Sequence, residues 1–223
     1  MTAVTTMRRR RMVGVVPSHT VPHTGSMSVT TDRRERLIGI VAPVLIMVAA
    51  MWLLELLDVL LRGRLDYWGI QSRTAAGLTG VPLAPFLHSG FSHLLANTVP
   101  FVVLGLLVAW RTERRMWPVT VTIGVLGGLG VWLLGPANVV TIGASGMVFG
   151  FFAYLVTSVF FTRHWLDLVI AVVVVVLYGG LVWGVLPTGV GPGVSWLAHL
   201  TGAAAGVVAA VALAPRAAPT PGG

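Results

Sequence analysis

Residues 143–161 read GASGMVFGFFAYLVTSVFF. After the small opening residues the run is apolar and carries no charge, the pattern of a helix that crosses a bilayer. The span itself, residues 145–161, is about 25 Å long by helical rise and so short for a full crossing. The spacing therefore predicts that it starts below the membrane surface, after the 135–143 stretch re-enters. Five further apolar runs flank it, at 37–61, 93–110, 116–135, 165–184 and 194–213.

Of the 223 residues, 56% are hydrophobic and 10% are charged. That composition excludes an ordinary soluble domain. It predicts an all-α polytopic membrane protein with six spans. The chain has no cysteine, which excludes disulfide and thiol chemistry. It also has no lysine, so all 15 cations are arginines.

Three zones follow. Residues 1–36 carry Arg8–Arg11, Arg33, Arg34 and Arg36 and few large apolar residues, which predicts a basic, disordered cytosolic tail. No apolar stretch follows the first arginine run closely, so a signal peptide is not expected. The tail reads as a topology signal that also meets anionic membrane lipid, in preference to a nucleic-acid arm. Residues 37–213 form the six-span domain. Residues 214–223, rich in Pro and Gly, read as a flexible tail.

Arginine marks the cytosolic side of a membrane protein. With the N-terminus inside, twelve arginines fall on the inner side and three (Arg62, Arg64 and Arg73) on the outer. Both termini are then cytoplasmic, and spans two, four and six all run inward. His93 and Asn97 lie at the start of span two, Ser145 at the start of span four and His199 near the start of span six. One layer toward the outer face therefore gathers polar groups from three places in the chain. Such groups are costly in a membrane and default to a functional reading.

Ser145 opens a helix, where free backbone N–H groups and the positive dipole end favour an anion. Gly143 and Gly146 clear the space beside its hydroxyl, so that a carbonyl can approach. A serine nucleophile needs a base. The alternative is an N-capping serine between packing glycines. Gly146 and Gly150 on span four, and Gly202 and Gly206 on span six, form two small-residue faces that allow close helix packing. Packing these faces together brings His199 toward Ser145, within reach for proton transfer. The alternative is a lone histidine bonded to a backbone carbonyl. His93 and Asn97, four apart, share a helical face and both can donate hydrogen bonds. They suit an oxyanion hole, or otherwise packing between spans.

Elsewhere, His88 reads as a loop-packing residue near the outer surface, and no metal site is expected because a third ligand is missing. Asp58 with Arg62, and Asp167 with Arg163, stand four apart and read as helix-end ion pairs. His19, His23 and His164 read as solvent-exposed.

Three motifs in order, His93-Leu94-Leu95-Ala96-Asn97, Gly143-Ala144-Ser145-Gly146, and Ala198-His199 through Gly202, resemble the rhomboid family of intramembrane serine proteases. The resemblance extends over about residues 37–213 and implies a six-transmembrane-helix rhomboid-like bundle. It implies a dyad with Ser145 as nucleophile and His199 as general base. It implies an oxyanion hole of His93, Asn97 and the Ser145 backbone N–H, with Gly143 shaping the substrate-binding loop. The implied substrates are transmembrane segments of other membrane proteins, cut near the outer face with neither cofactor nor metal. The implied setting is a bacterial plasma membrane. One departure lies in the first outer loop, where Tyr67-Trp68-Gly69-Ile70 and Arg73 stand without the family's Trp-Arg pair. The rival readings are an inactive rhomboid-like protein that binds membrane clients and a small transporter. The chain shows no internal repeat of the kind a transporter carries.

Overall fold

The computed structural model describes residues 25–112 and 115–216, with side chains from residue 33 onward. The Arg8–Arg11 run, His19, His23 and residues 217–223 of the expected C-terminal tail lie outside the described residues. Backbone N–H and C=O groups have no water to bond in hydrocarbon, so long apolar runs satisfy them internally as helices. Among the described residues, six helices are long and apolar enough to cross a membrane: 33–60, 91–112, 116–134, 145–162, 165–185 and 196–213.

The helices are α1 (Gly25–Leu60), α2 (Ala75–Leu83), α3 (Phe91–Thr112), α4 (Met116–Leu134), α5 (Ser145–Thr162), α6 (Trp165–Tyr178) and α7 (Trp196–Leu213). α2 is the short one and belongs to the loop between spans one and two. α6 is extended by a 3-10 turn over Gly179–Val185. α1 begins ahead of the apolar run, so residues 25–36, expected in the tail, are helical.

Between lipid-bathed helices there is no hydrophobic driving force, and close packing takes its place. The tightest seam joins α5 to α7. A Cβ on Gly202 would collide with the Gly146 carbonyl oxygen, and one on Gly206 with the Gly150 carbonyl oxygen. α4 closes on the same point, where a Cβ on Gly127 would lie 3.2 Å from the Gly202 Cα. The two small-residue faces expected to meet therefore do so. α5 is the most buried of the six spans and α6 the least.

The loop before α3 has its own fold. A 3-10 turn (Asp66–Trp68) leads into β1 (Ile70–Gln71), α2 and a second 3-10 turn (Ala84–Phe86). β1 pairs antiparallel with β2 (Val140–Thr141), with Ile70 opposite Thr141 and Gln71 opposite Val140. α2 packs backbone to backbone on β1, because a Cβ on Gly77 or Gly80 would strike the Gln71 or Gly69 carbonyl.

Both expected ion pairs are replaced. Asp58 Oδ1 accepts the Leu65 N–H at 2.6 Å. α1 has already ended at Leu60, and Arg62 sits exposed at φ 59°, off the helical face that an i, i+4 pair requires. Asp167 is buried in the first turn of α6 and takes a two-point hydrogen bond from Arg111 of α3, at 2.5 and 2.8 Å. A buried carboxylate needs a partner that satisfies both oxygens, which the arginine fork provides. Arg163 instead ends α5 in the left-handed region with its side chain exposed. His164 is exposed, as expected, and its Nδ1 caps α6 by accepting the Leu166 N–H at 3.2 Å.

Candidate active site

Ser145 is the first residue of α5. In that position its N–H has no intrahelical acceptor. The approach to it is made by Gly143, whose φ of +112° is open to glycine and rarely to other residues. Side-chain space is also absent there. A Cβ on Gly143 would lie 2.9 Å from His93 Nε2 and 3.7 Å from Asn97 Nδ2. The His93 ring and the Asn97 amide thus both face the backbone two residues before the serine. Asn97 is 6% exposed and returns one amide hydrogen to the His93 carbonyl at 3.2 Å. Ser89 Oγ lies 3.3 Å from His93 Nδ1, which leaves the Nε2 edge toward Gly143.

Three ties to the first loop hold the segment before Ser145. The β1–β2 ladder is one. The Gly143 N–H donates to the Ala84 carbonyl at 2.8 Å. The Ala144 N–H donates to His88 Nε2 at 3.3 Å. His88 thus packs inside the loop, and it also reaches the segment that leads to the serine. It is 1% exposed, with its ring edge against His93 at 5.1 Å between centroids. Burial, and secondarily the charge of His93, hold its pKa down to about 4 against the opposing pull of the Phe86 carbonyl. It is neutral at pH 7, as an acceptor for an amide must be.

His199 lies one turn into α7 and is 6% exposed. Its ring stacks on Phe149 at 4.0 Å between centroids and 7° between planes. Phe149 is four residues after Ser145, so ring and serine share one face of α5. His199 Nδ1 lies 2.9 Å from the Gly184 carbonyl oxygen. A carbonyl only accepts, so Nδ1 carries the proton and Nε2 holds the lone pair. Nε2 is buried and has no hydrogen-bond partner among the described residues, Ser145 included. Catalytic hydrogen bonds are commonly long before substrate binds.

The structure sets His93 and Asn97 against Gly143, and the seam of Gly146 and Gly150 with Gly202 and Gly206 joins the helix that Ser145 opens to the helix that carries His199. It adds Phe149, His88 and the Gly184 carbonyl. Phe149 escaped the sequence reading, although its i, i+4 spacing from Ser145 was a signal that could have found it. No residue-type signal could have pointed to a main-chain carbonyl.

A small, open, mainly apolar crevice adjoins this layer, lined among others by Gly127, Gly128, Gly143, Gly146, Met147 and Ala198.

The family model described as Rhomboid domain matches residues 75–216. "Uncharacterized protein Rv1337" of Mycobacterium tuberculosis is 45% identical over 176 residues, covering 76% of this chain and 73% of that protein. "Uncharacterized protein ML1171" of Mycobacterium leprae is 40% identical over 178 residues, covering 76% and 70%. A Bacillus subtilis protein named "Putative rhomboid protease YdcA" is 29% identical over 121 residues, covering 54% of this chain and 59% of its own length. With six helices among the described residues long and apolar enough to cross a membrane, and a Rhomboid domain match over most of its length, the chain is an integral membrane protein that belongs to the rhomboid family.

Proposed function

We propose that the protein is an intramembrane serine endopeptidase that cleaves transmembrane segments of other membrane proteins with a Ser145–His199 dyad. The observation that carries the reading is the His199 ring. It is stacked one helical turn from the serine, protonated on Nδ1 and open on Nε2. A serine hydroxyl gains reactivity only beside such a base.

In the first step Ser145 Oγ attacks the scissile carbonyl carbon while its proton passes to His199 Nε2. The charge that develops on the carbonyl oxygen is met by the Ser145 N–H, His93 Nε2 and Asn97 Nδ2. Preorganised donors of this kind are worth far more in a water-poor site than in solvent. The imidazolium then protonates the departing amine, and an acyl-serine remains. Water, deprotonated by the same Nε2, hydrolyses the ester and restores the serine. No cofactor or metal is called for in this chemistry.

A helical substrate hides its carbonyls in its own hydrogen bonds and must unwind locally. Glycine and other poor helix formers lower that cost, which favours cleavage beside small or helix-breaking residues. The arginine distribution supports cytoplasmic termini in a bacterial plasma membrane, with the site toward the outer face.

The test is labelling and cleavage in reconstituted vesicles. Wild type takes up a fluorophosphonate and cuts a transmembrane substrate, and Ser145→Ala does neither. An unlabelled wild type that still binds membrane clients would turn the reading to an inactive client-binding protein.

A further inference from the structure

The dyad reading leaves one question: what holds the base without a carboxylate. Among the described residues no acidic side chain bonds the His199 ring, and Nδ1 faces a main-chain oxygen. We propose that Gly184 is a positioning residue for His199, its carbonyl taking the place of a triad's carboxylate, so that the end of span five sets which nitrogen of the base is free. The proposal rests on the protease reading for its catalytic consequence. Its structural part stands separately.

Two contacts define the ring. The Phe149 stack fixes its plane, and the 2.9 Å contact to Gly184 fixes its rotation within that plane. With the carbonyl in place, the tautomer with a proton on Nδ1 is favoured, because the other would set two lone pairs against each other. Without it, either nitrogen can carry the proton, and a proton on Nε2 leaves no base for Ser145.

The residue type at 184 follows from the same geometry. A Cβ there would lie 2.7 Å from Phe149 Cζ and 3.3 Å from His199 Nδ1. Only glycine lets the backbone come close enough for the bond while sparing the stack. A neutral carbonyl also avoids the cost of a buried anion, which a carboxylate in this layer would incur. In exchange it stabilises the imidazolium less than an anion would.

The carbonyl does not belong to the core that carries the serine. It sits in the 3-10 turn over Gly179–Val185, at the end of the least buried span. The ring plane of the base is therefore referenced to the serine's own helix through Phe149, and its rotation to the end of span five.

The experiment uses the full-length chain in nanodiscs. Imidazole ¹⁵N shifts, assigned to His199 by difference against His199→Gln, read its tautomer in the wild type and in Ser145→Ala. Both are expected to carry the proton on Nδ1. Gly184→Ala should become a mixture and lose roughly 10- to 100-fold in kcat, as outer partners of a working histidine do, with KM within about twofold. An amide-to-ester exchange between residues 184 and 185 weakens this acceptor without adding an atom. It should lower kcat by about fivefold, the equivalent of most of one hydrogen bond. A wild-type His199 protonated on Nε2 would overturn the proposal, as would a folded ester variant with normal kcat and tautomer. If the wild type neither labels nor cleaves, yet its Nδ1 proton is present and lost in the variants, the protease reading falls and the Gly184 link stands.

Discussion

The two halves of the dyad are held in unlike ways. The segment leading to Ser145 is tied through its main chain at three points to a folded loop that contains its own helix and strand, two of them to main-chain groups and one to the His88 ring. His199 is held by one ring face and one carbonyl, the latter from the end of the most exposed span. Nucleophile and oxyanion donors must keep a geometry tight to a fraction of an ångström. A base needs only the correct tautomer and a hydrogen-bonding approach. The investment of structure follows that difference in tolerance.

The sharpest way to break the comparison is to remove the base. His199→Ala should lose about 10⁴-fold or more in kcat, near the loss from Ser145→Ala, because members of a unit fail together. Single-turnover cleavage in nanodiscs measures it. A residual rate within tenfold of wild type would mean that another group serves as base.

The next effect tests the nucleophile side. Folded His88 is held at a pKa near 4 against about 6.5 when unfolded, so the unfolded chain binds more protons between these values. Stability from this site is full above pH 6.5 and is lost as pH falls toward 4, by up to about 3 kcal/mol. Asp66 runs the other way. Burial, and then the charge of Asp58, raise its pKa to about 6, so its contribution is lost as pH rises through 6. Comparing thermal unfolding of wild type and His88→Gln across pH 4–7 isolates the histidine. The gap between the two should change over this window and be flat above it. A parallel pair of curves throughout would remove His88 from the neutral-acceptor role.

Asn97→Ala should be impaired and not dead, with about 100-fold lower kcat, the usual cost of one oxyanion donor. KM should stay near wild type. A change confined to KM would make Asn97 a binding residue.

The smallest effect lies on the base side. Phe149→Leu keeps bulk and loses the stack, worth about 1 kcal/mol, so kcat should fall about fivefold while the melting temperature changes little. If it falls as far as in Asn97→Ala, the ring is more than a guide for the histidine plane.

The fold was largely legible. A run such as 145–161 has one low-energy state in hydrocarbon, a helix, and six such runs with short connections leave few arrangements. The α5–α7 seam was legible too, because paired glycines one turn apart have a single physical use. What escaped the reading has a common cause: it depends on residues far apart in sequence. Asp167 had Arg163 at helical spacing, yet the buried carboxylate took the two-point partner from α3. His88 reads as packing within its loop, but its hydrogen-bond partner, the Ala144 N–H, lies 56 residues away in sequence. Its burial follows from the loop folding over the start of α5, and two-residue strands carry no periodicity to announce that. The Gly184 carbonyl is invisible in principle, since every residue has one.

The glycine seam has one more consequence. Where backbones touch, no side chain is left to yield, so the distance between α5 and α7 is set by atoms that cannot choose another rotamer. The seam works as a mechanical stop. Any residue larger than glycine at 202 or 206 would push the serine helix and the histidine helix apart as whole rods, and the error would arrive at the reacting atoms undiminished. Tolerance to mutation in this protein should thus be lowest along a line of residues that bear no reactive group at all.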